Sequence, residues 1–247
     1  MNADFVTVLW KEWKEIVMER SAGSNGSSLR PLILIAVFGI FFPVRMGPER
    51  FFSAAGLLAP TFFSAIVITA VIADSFAGER ERHTLETLLA SRLSDRSILL
   101  GKIAACMAYG WLISIACILA GAITVNIVNW HGQILLYHDS ASWLLLLLGP
   151  PLLGGAVATA GVLVSLHATT VRQAQQTLSV GFAVVLIGTI FGSSMLPKDW
   201  QEWFARILFT WSQAELVLAA AVVILAIDFA LLAAGMARFQ RARLVLD

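Results

Sequence analysis

The sequence predicts an all-α polytopic membrane protein with six transmembrane helices, and three observations carry that prediction. Hydrophobic residues make up 58% of the 247 positions and charged residues 13%, against about 25% charged in a soluble domain. Six apolar runs recur along the chain, over residues 30–46, 51–77, 98–128, 142–167, 174–195 and 213–236. Their lengths approach or exceed the ~20 residues that cross a bilayer. Thirteen of the seventeen Lys and Arg fall in alternate connecting segments that share one side with the N-terminus. That bias puts both termini in the cytoplasm of a multi-pass protein of the cell membrane, the bacterial inner membrane being the natural setting.

Before the first run, Val6, Leu9, Trp10, Trp13, Ile16 and Val17 recur at helical spacing, opposite Lys11, Glu12, Lys14 and Glu15. Such a stripe predicts a helix lying in the membrane interface. Ser21 to Ser28 reads as a polar connector, so residues 1–29 form an interfacial helix and linker. Pro43 and Arg45 shorten the apolar core of the first span. The fourth span carries Gly149-Pro150-Pro151, then Gly154, Gly155, Ala156, Ala158, Ala160 and Gly161. Small residues at these intervals predict close helix packing, with a hinge at the prolines as the alternative. Within residues 197–212, Trp200, Trp203, Phe204, Ile207, Leu208 and Trp211 again follow helical spacing among charges. This predicts an amphipathic helix at the outer interface, before the last span.

The most polar stretch joins the second and third runs and must lie in water. It begins Gly78-Glu-Arg-Glu-Arg-His-Thr-Leu-Glu-Thr-Leu-Leu and ends near Ser97, before Ile98-Leu-Leu-Gly-Lys102. Leu85, Leu88 and Leu89 share one helical face, and Glu79, Arg80, Glu81, Arg82 and Glu86 supply the remaining surface. Ser94-Asp95 supplies N-cap chemistry for the helix that follows. The Gly-Glu-Arg-Glu-x-x-Thr-Leu-Glu-x-Leu-Leu pattern resembles the first cytoplasmic loop of ABC-2-type permeases, the membrane subunits of ATP-driven exporters. The resemblance implies that residues 78–97 form a coupling loop docking on a separate cytoplasmic ATPase. Leu85, Leu88 and Leu89 would be the docking contacts, and Glu79, Arg80, Glu81 and Glu86 the orienting charges. It further implies an N-terminal elbow helix, an outer helix near the exit of the transport path, and a second permease, identical or homologous. The chain as a whole then reads as one permease domain over residues 1–247, with membrane lipids as its surroundings.

Catalytic signatures are missing from the sequence. No Gly-x-x-x-x-Gly-Lys-Ser/Thr phosphate loop is present, since Gly101-Lys102 continues with Ile103. ATP and magnesium are therefore expected in the partner ATPase, with no cofactor in this chain, and nucleic acid is not an expected partner because the basic residues are scattered. His131, His138 and Asp139 read as a solvated loop in preference to a metal site. Cys106 and Cys117 lie eleven residues apart on one helix, about 16 Å along its axis, too far to bridge. Three acids fall within or at the ends of spans. Asp74 is expected to support the junction with the coupling loop, Glu215 to reach water at the outer end, and Asp228 to lie near mid-depth facing the bundle or a cavity. Asp228 is a candidate member of the transport path, with an interhelical hydrogen bond as the plainer alternative. A membrane scaffold that binds a cytosolic partner without transport is the alternative function, which co-purification would separate.

Overall fold

The fold rests on helix pairs brought close by glycines, as seen in a computed structural model describing residues 2–22, 29–84, 90–195 and 197–239. Helix α1 spans Asn2–Ala22, and α2 (Leu29–Ala36) runs through a π turn at Val37–Phe41 into α3 (Phe42–Met46). Gly47, at φ +78°, turns the chain into α4 (Pro48–Phe51), whose first residue is a proline, as suits a position with no intrahelical N–H bond to lose. Helix α5 (Ala54–Ala73) continues through a second π turn (Asp74–Gly78) into the short α6 (Glu79–Glu81). Then follow α7 (Asp95–Val128), α8 (Ser140–Ser165), α9 (Val171–Met195), α10 (Lys198–Thr210) and α11 (Gln213–Arg238). The described residues contain helices and connections, with no strand.

Four stretches are long and apolar enough to cross a membrane: Ala54–Glu81, Asp95–Val128, Ser140–Ser165 and Gln213–Arg238. The shortest have 26 residues, about 39 Å of helix against a hydrocarbon core of about 30 Å. These correspond to the second, third, fourth and sixth predicted runs. The first predicted run is apolar over Leu32–Met46 but shorter. The fifth is the 25-residue α9, whose first two turns carry Arg172, Gln173, Gln175 and Gln176.

Helix α8 packs against both α5 and α11, and α5 packs also against α7. A Cβ at Gly154 of α8 would lie 2.7 Å from Ile68 Cδ1, and Gly161 meets Ile72, both on α5. Gly101 of α7 abuts Val8 of α1 in the same way, with Val8 Cβ 2.8 Å from where a Cβ would stand. The small residues of α8 thus serve close packing. Pro150 and Pro151 lie inside a continuous helix. The main core gathers Phe63, Ile68, Ile72, Phe76, Ile98, Leu99 and Val162, with Val8 and Ile16 of α1 closing it at one end. Cys106 and Cys117 are buried and not bridged to each other.

The cap predicted at Ser94 is present, and a second one stands at Ser212. Ser94 Oγ accepts from Ser97 N at 3.2 Å. Ser212 and Glu215 form a reciprocal capping box at the start of α11, the hydroxyl accepting from Glu215 N and the carboxylate from Ser212 N at 2.7 Å. Helix α10 leaves Trp200 and Trp203 exposed and edge to face, with ring centroids 6.1 Å apart.

Candidate functional site: a buried ion cluster at the root of the polar loop

At the end of the bundle where α5 stops and α7 starts, Lys102 of α7 is 1% exposed. Its ammonium donates to Glu12 Oε1 of α1 at 2.8 Å, Glu79 Oε1 of α6 at 2.9 Å and the Ser75 carbonyl at 2.9 Å. All three N–H donors are therefore used. The Phe76 ring covers the same ammonium, its centroid 5.2 Å away. Lys11, at the half-exposed edge, adds contacts to Glu12 at 3.2 Å, Glu15 at 3.2 Å and Glu79 at 3.3 Å. Burial works against the Lys11 charge, but Glu12, Glu79 and Glu15 outweigh it and hold its pKa above the ordinary lysine value. Such a buried cluster persists because each charge has a partner.

The carboxylates of Glu12, Glu15 and Glu79 offer oxygens within 4.8 Å of one another, a spacing compatible with a metal ion. Two ammonium groups already press against these oxygens, so the cluster is built around lysine. His131, His138 and Asp139 form no metal-holding group among the described residues. His131 Nδ1 instead lies 2.9 Å from the Asn129 carbonyl.

A second set of contacts ties the same root to α8. Arg80 donates from Nη1 to the Ala168 carbonyl at 3.0 Å and from Nη2 to the Leu166 carbonyl at 2.9 Å, satisfying acceptors just beyond the end of α8. Ser165 Oγ donates to the Ala73 carbonyl at 3.1 Å and accepts from Ala77 N at 2.9 Å. Asp74 pairs with Arg82 at 3.4 Å, which is the junction role expected of it. The helix then ends sharply: His83 takes φ +55° and Thr84 N bonds back to the Glu79 carbonyl at 2.9 Å, a left-handed helix stop.

Two expectations are corrected here. Glu79 was expected on the water-facing surface of the loop, yet it is 5% exposed and bound inside the chain, because Lys102 and Lys11 supply charge that water otherwise would. Glu12 was expected on the polar face of α1, opposite the apolar stripe. It is instead 4% exposed, in line with Val8 and Ile16 at i−4 and i+4, while Val6, Trp10 and Val17 are open. The apolar stripe of α1 is thus split, Leu9, Trp13 and Ile16 turning toward the bundle and Val6, Trp10 and Val17 lying open, and the face carrying Glu12 meets α7. Arg80 is half-buried and Glu81 exposed. Leu85, Glu86, Leu88 and Leu89 lie outside the described residues.

Asp228 lies on α11 against Gly155 of α8. A Cβ at Gly155 would stand 2.8 Å from Asp228 Oδ2 and 3.4 Å from Met107 Cε. Asp228 Oδ1 is buried without a hydrogen-bond partner. It therefore faces the bundle as expected, but an interhelical hydrogen bond does not account for that oxygen. A carboxylate at the centre of a membrane-spanning helix costs about 2.5–3.5 kcal/mol on insertion scales.

Residues 48–236 match the profile of the ABC-2 family transporter proteins. The chain belongs to this family. It is also 26% identical over 195 residues to the probable multidrug ABC transporter permease YbhS of Escherichia coli strain K12, and equally to its counterpart in strain O157:H7. The aligned region covers 78% of this chain and 47% of those relatives, so the chain spans about half the length of the curated relatives it matches. As an ABC-2 family chain with four long apolar helices, it is a multi-pass membrane protein. The ion cluster joins two regions of this ABC-2 chain: Glu79 and Lys102 fall within the matched segment, and Glu12 precedes it.

Proposed function

We propose that this chain is the transmembrane permease subunit of an ABC exporter, coupling ATP hydrolysis by a separate cytoplasmic ATPase to substrate movement across the cell membrane. In this reading it has six spans, Leu32–Met46 and α9 supplying the first and fifth, and both termini are cytoplasmic. Helix α1 is the interfacial elbow and α10 the outer amphipathic helix. Two permeases, identical or homologous, enclose the path between them, and ATP and magnesium act in the partner.

The observation that carries the reading is the ion cluster at the root of the polar loop. Glu79 opens the Glu79–Arg96 segment and Lys102 lies on α7 six residues beyond its end, and their pairing at 2.9 Å fastens the loop's base. Glu12 adds α1 to the same knot, and Arg80 adds the end of α8. A force applied to the loop by an ATPase is then delivered to α1, α5, α7 and α8 together, because buried, ion-paired groups resist separation. Glu81, which is exposed, remains available to a partner, with Leu85, Glu86, Leu88 and Leu89 as the docking residues.

Co-expression with the ATPase subunit and affinity purification tests this. The wild-type chain is expected to retain the ATPase, and Leu88→Glu with Leu89→Glu to release it while inserting normally in the membrane. Equal retention by the double variant, or an ATPase whose turnover is indifferent to the permease, overturns the reading.

A further inference from the structure

At the end of the bundle opposite the ion cluster, α8 packs against both α5 and α11, and a groove of about 400 Å³ lies between those two helices. The volume falls within the 300–1,000 Å³ typical of small-molecule sites. Its walls are aliphatic, with Leu58 of α5, Leu148 and Leu152 of α8, and Val217, Ala221 and Ile224 of α11 among them. Asp228 follows Ile224 by four residues, so it occupies the same face of α11 one turn, about 6 Å, further in. Gly155 follows Leu152 by three on α8 and stands against Asp228 Oδ2. Asp228 thus stands one turn beyond the lining of the groove, its Oδ1 buried and without a hydrogen-bond partner. Among the described residues Asp228 has no ion pair.

We propose that this groove and Asp228 together form a binding site for a lipophilic cation: the apolar body lies along α5, α8 and α11, and the positive centre settles against the carboxylate. The inference rests on the permease reading for its purpose, naming the class of substrate carried. Charge complementarity selects the occupant. A neutral acyl chain fills the walls but leaves the Asp228 charge without a counterion, whereas a cation satisfies both parts of the site. The glycine at position 155 keeps the carboxylate accessible to the α8 side, since a methyl there would press on Oδ2.

The test is equilibrium binding of radiolabelled tetraphenylphosphonium to the full-length chain in lipid nanodiscs, with neutral triphenylphosphine oxide as the comparison. The wild type is expected to prefer the cation. Asp228→Asn, which keeps shape and removes charge, is expected to weaken cation binding about tenfold or more and to leave the neutral probe unchanged. Ala221→Phe, which fills the groove two turns from Asp228, is expected to weaken the cation to a similar degree. Unaltered cation affinity in either variant overturns the proposal. So does equal affinity for the two probes with no effect of Asp228→Asn, which would assign the groove to lipid chains. No ATPase or nucleotide is present in the assay, so loss of the ATPase partnership defeats the permease reading without touching this result. Conversely, a chain that holds its ATPase but binds no tetraphenylphosphonium defeats only the assignment of the groove.

Discussion

Lys102 Nζ lies 2.8 Å from Glu12 Oε1, across ninety residues of sequence, in a setting where the lysine side chain is 1% exposed and the glutamate side chain 6%. The pair joins α1 to the first turns of α7. Because Glu79 shares the same ammonium at 2.9 Å, removing any member leaves buried charge behind.

Lys102→Met therefore strands Glu12 and Glu79. The expected cost is about 3 kcal/mol, at the low end for breaking a buried ion pair because Lys11 still contacts both carboxylates. Thermal unfolding of the purified protein measures it. Adding Glu12→Gln and Glu79→Gln to Lys102→Met removes the stranded charges and is expected to recover most of the loss. A triple variant no more stable than Lys102→Met would mean that charge stranding is not the cause.

Arg80 holds two carbonyls with one planar group, and a lysine ammonium cannot span Leu166 and Ala168 in the same fork. Arg80→Lys is expected to cost about 1–2 kcal/mol, roughly one hydrogen bond with a charged donor. Amide exchange over residues 166–170 is expected to speed up, with the rest of α8 unchanged. Unchanged protection there would show that Arg80 does not secure the end of α8.

How far this was legible from residues alone depends on the range of each interaction. The caps at Ser94 and Ser212 act within three residues, and the first was read from side-chain type and position, whereas the Ser212–Glu215 box was found only in the structure. Asp74 and Arg82 lie eight residues apart on one stretch, and the junction role followed from placement near the end of an apolar run. Lys102 and Glu12 are different. Each looks like an ordinary interfacial charge, and periodicity carries no information about a partner ninety positions away. The stripe on α1 is silent on this for a related reason: in a membrane, an apolar face is as well served by lipid as by protein, so its direction does not reveal which face packs. The small residues of α8 were legible as a packing surface, but the matching Ile68 and Ile72 on α5 were not.

Those isoleucines set a further expectation. Gly161 has Ile72 Cγ1 3.1 Å from where its Cβ would stand, with Cγ2 closer still. Gly161→Ala therefore forces α5 and α8 apart and is expected to cost about 1–3 kcal/mol, the range for overpacking a filled core. Ile72→Val opens space at the same point. Combining the two is expected to cost less than the sum of the single changes, by about 0.5 kcal/mol or more, as for residues in contact. Thermal unfolding of the four proteins in the cycle measures this. Strict additivity would mean that the helices do not meet at this point.

Asp228 gives the opposite sign. Its unpartnered carboxylate sits on α11, a helix with no buried residue in its most apolar stretch, so nothing in the fold compensates for placing it in hydrocarbon. Replacing it by leucine exchanges an unfavourable insertion term for a favourable one, a change of about 3 kcal/mol on insertion scales. Asp228→Leu is accordingly expected to raise membrane insertion of an isolated α11 segment and to leave the full chain at least as stable to heat. Stability gained together with lost binding of a cationic probe is the pattern of a group held for function at the expense of the fold. A fall in thermal stability would instead show that the carboxylate supports the packing of α8 against α11.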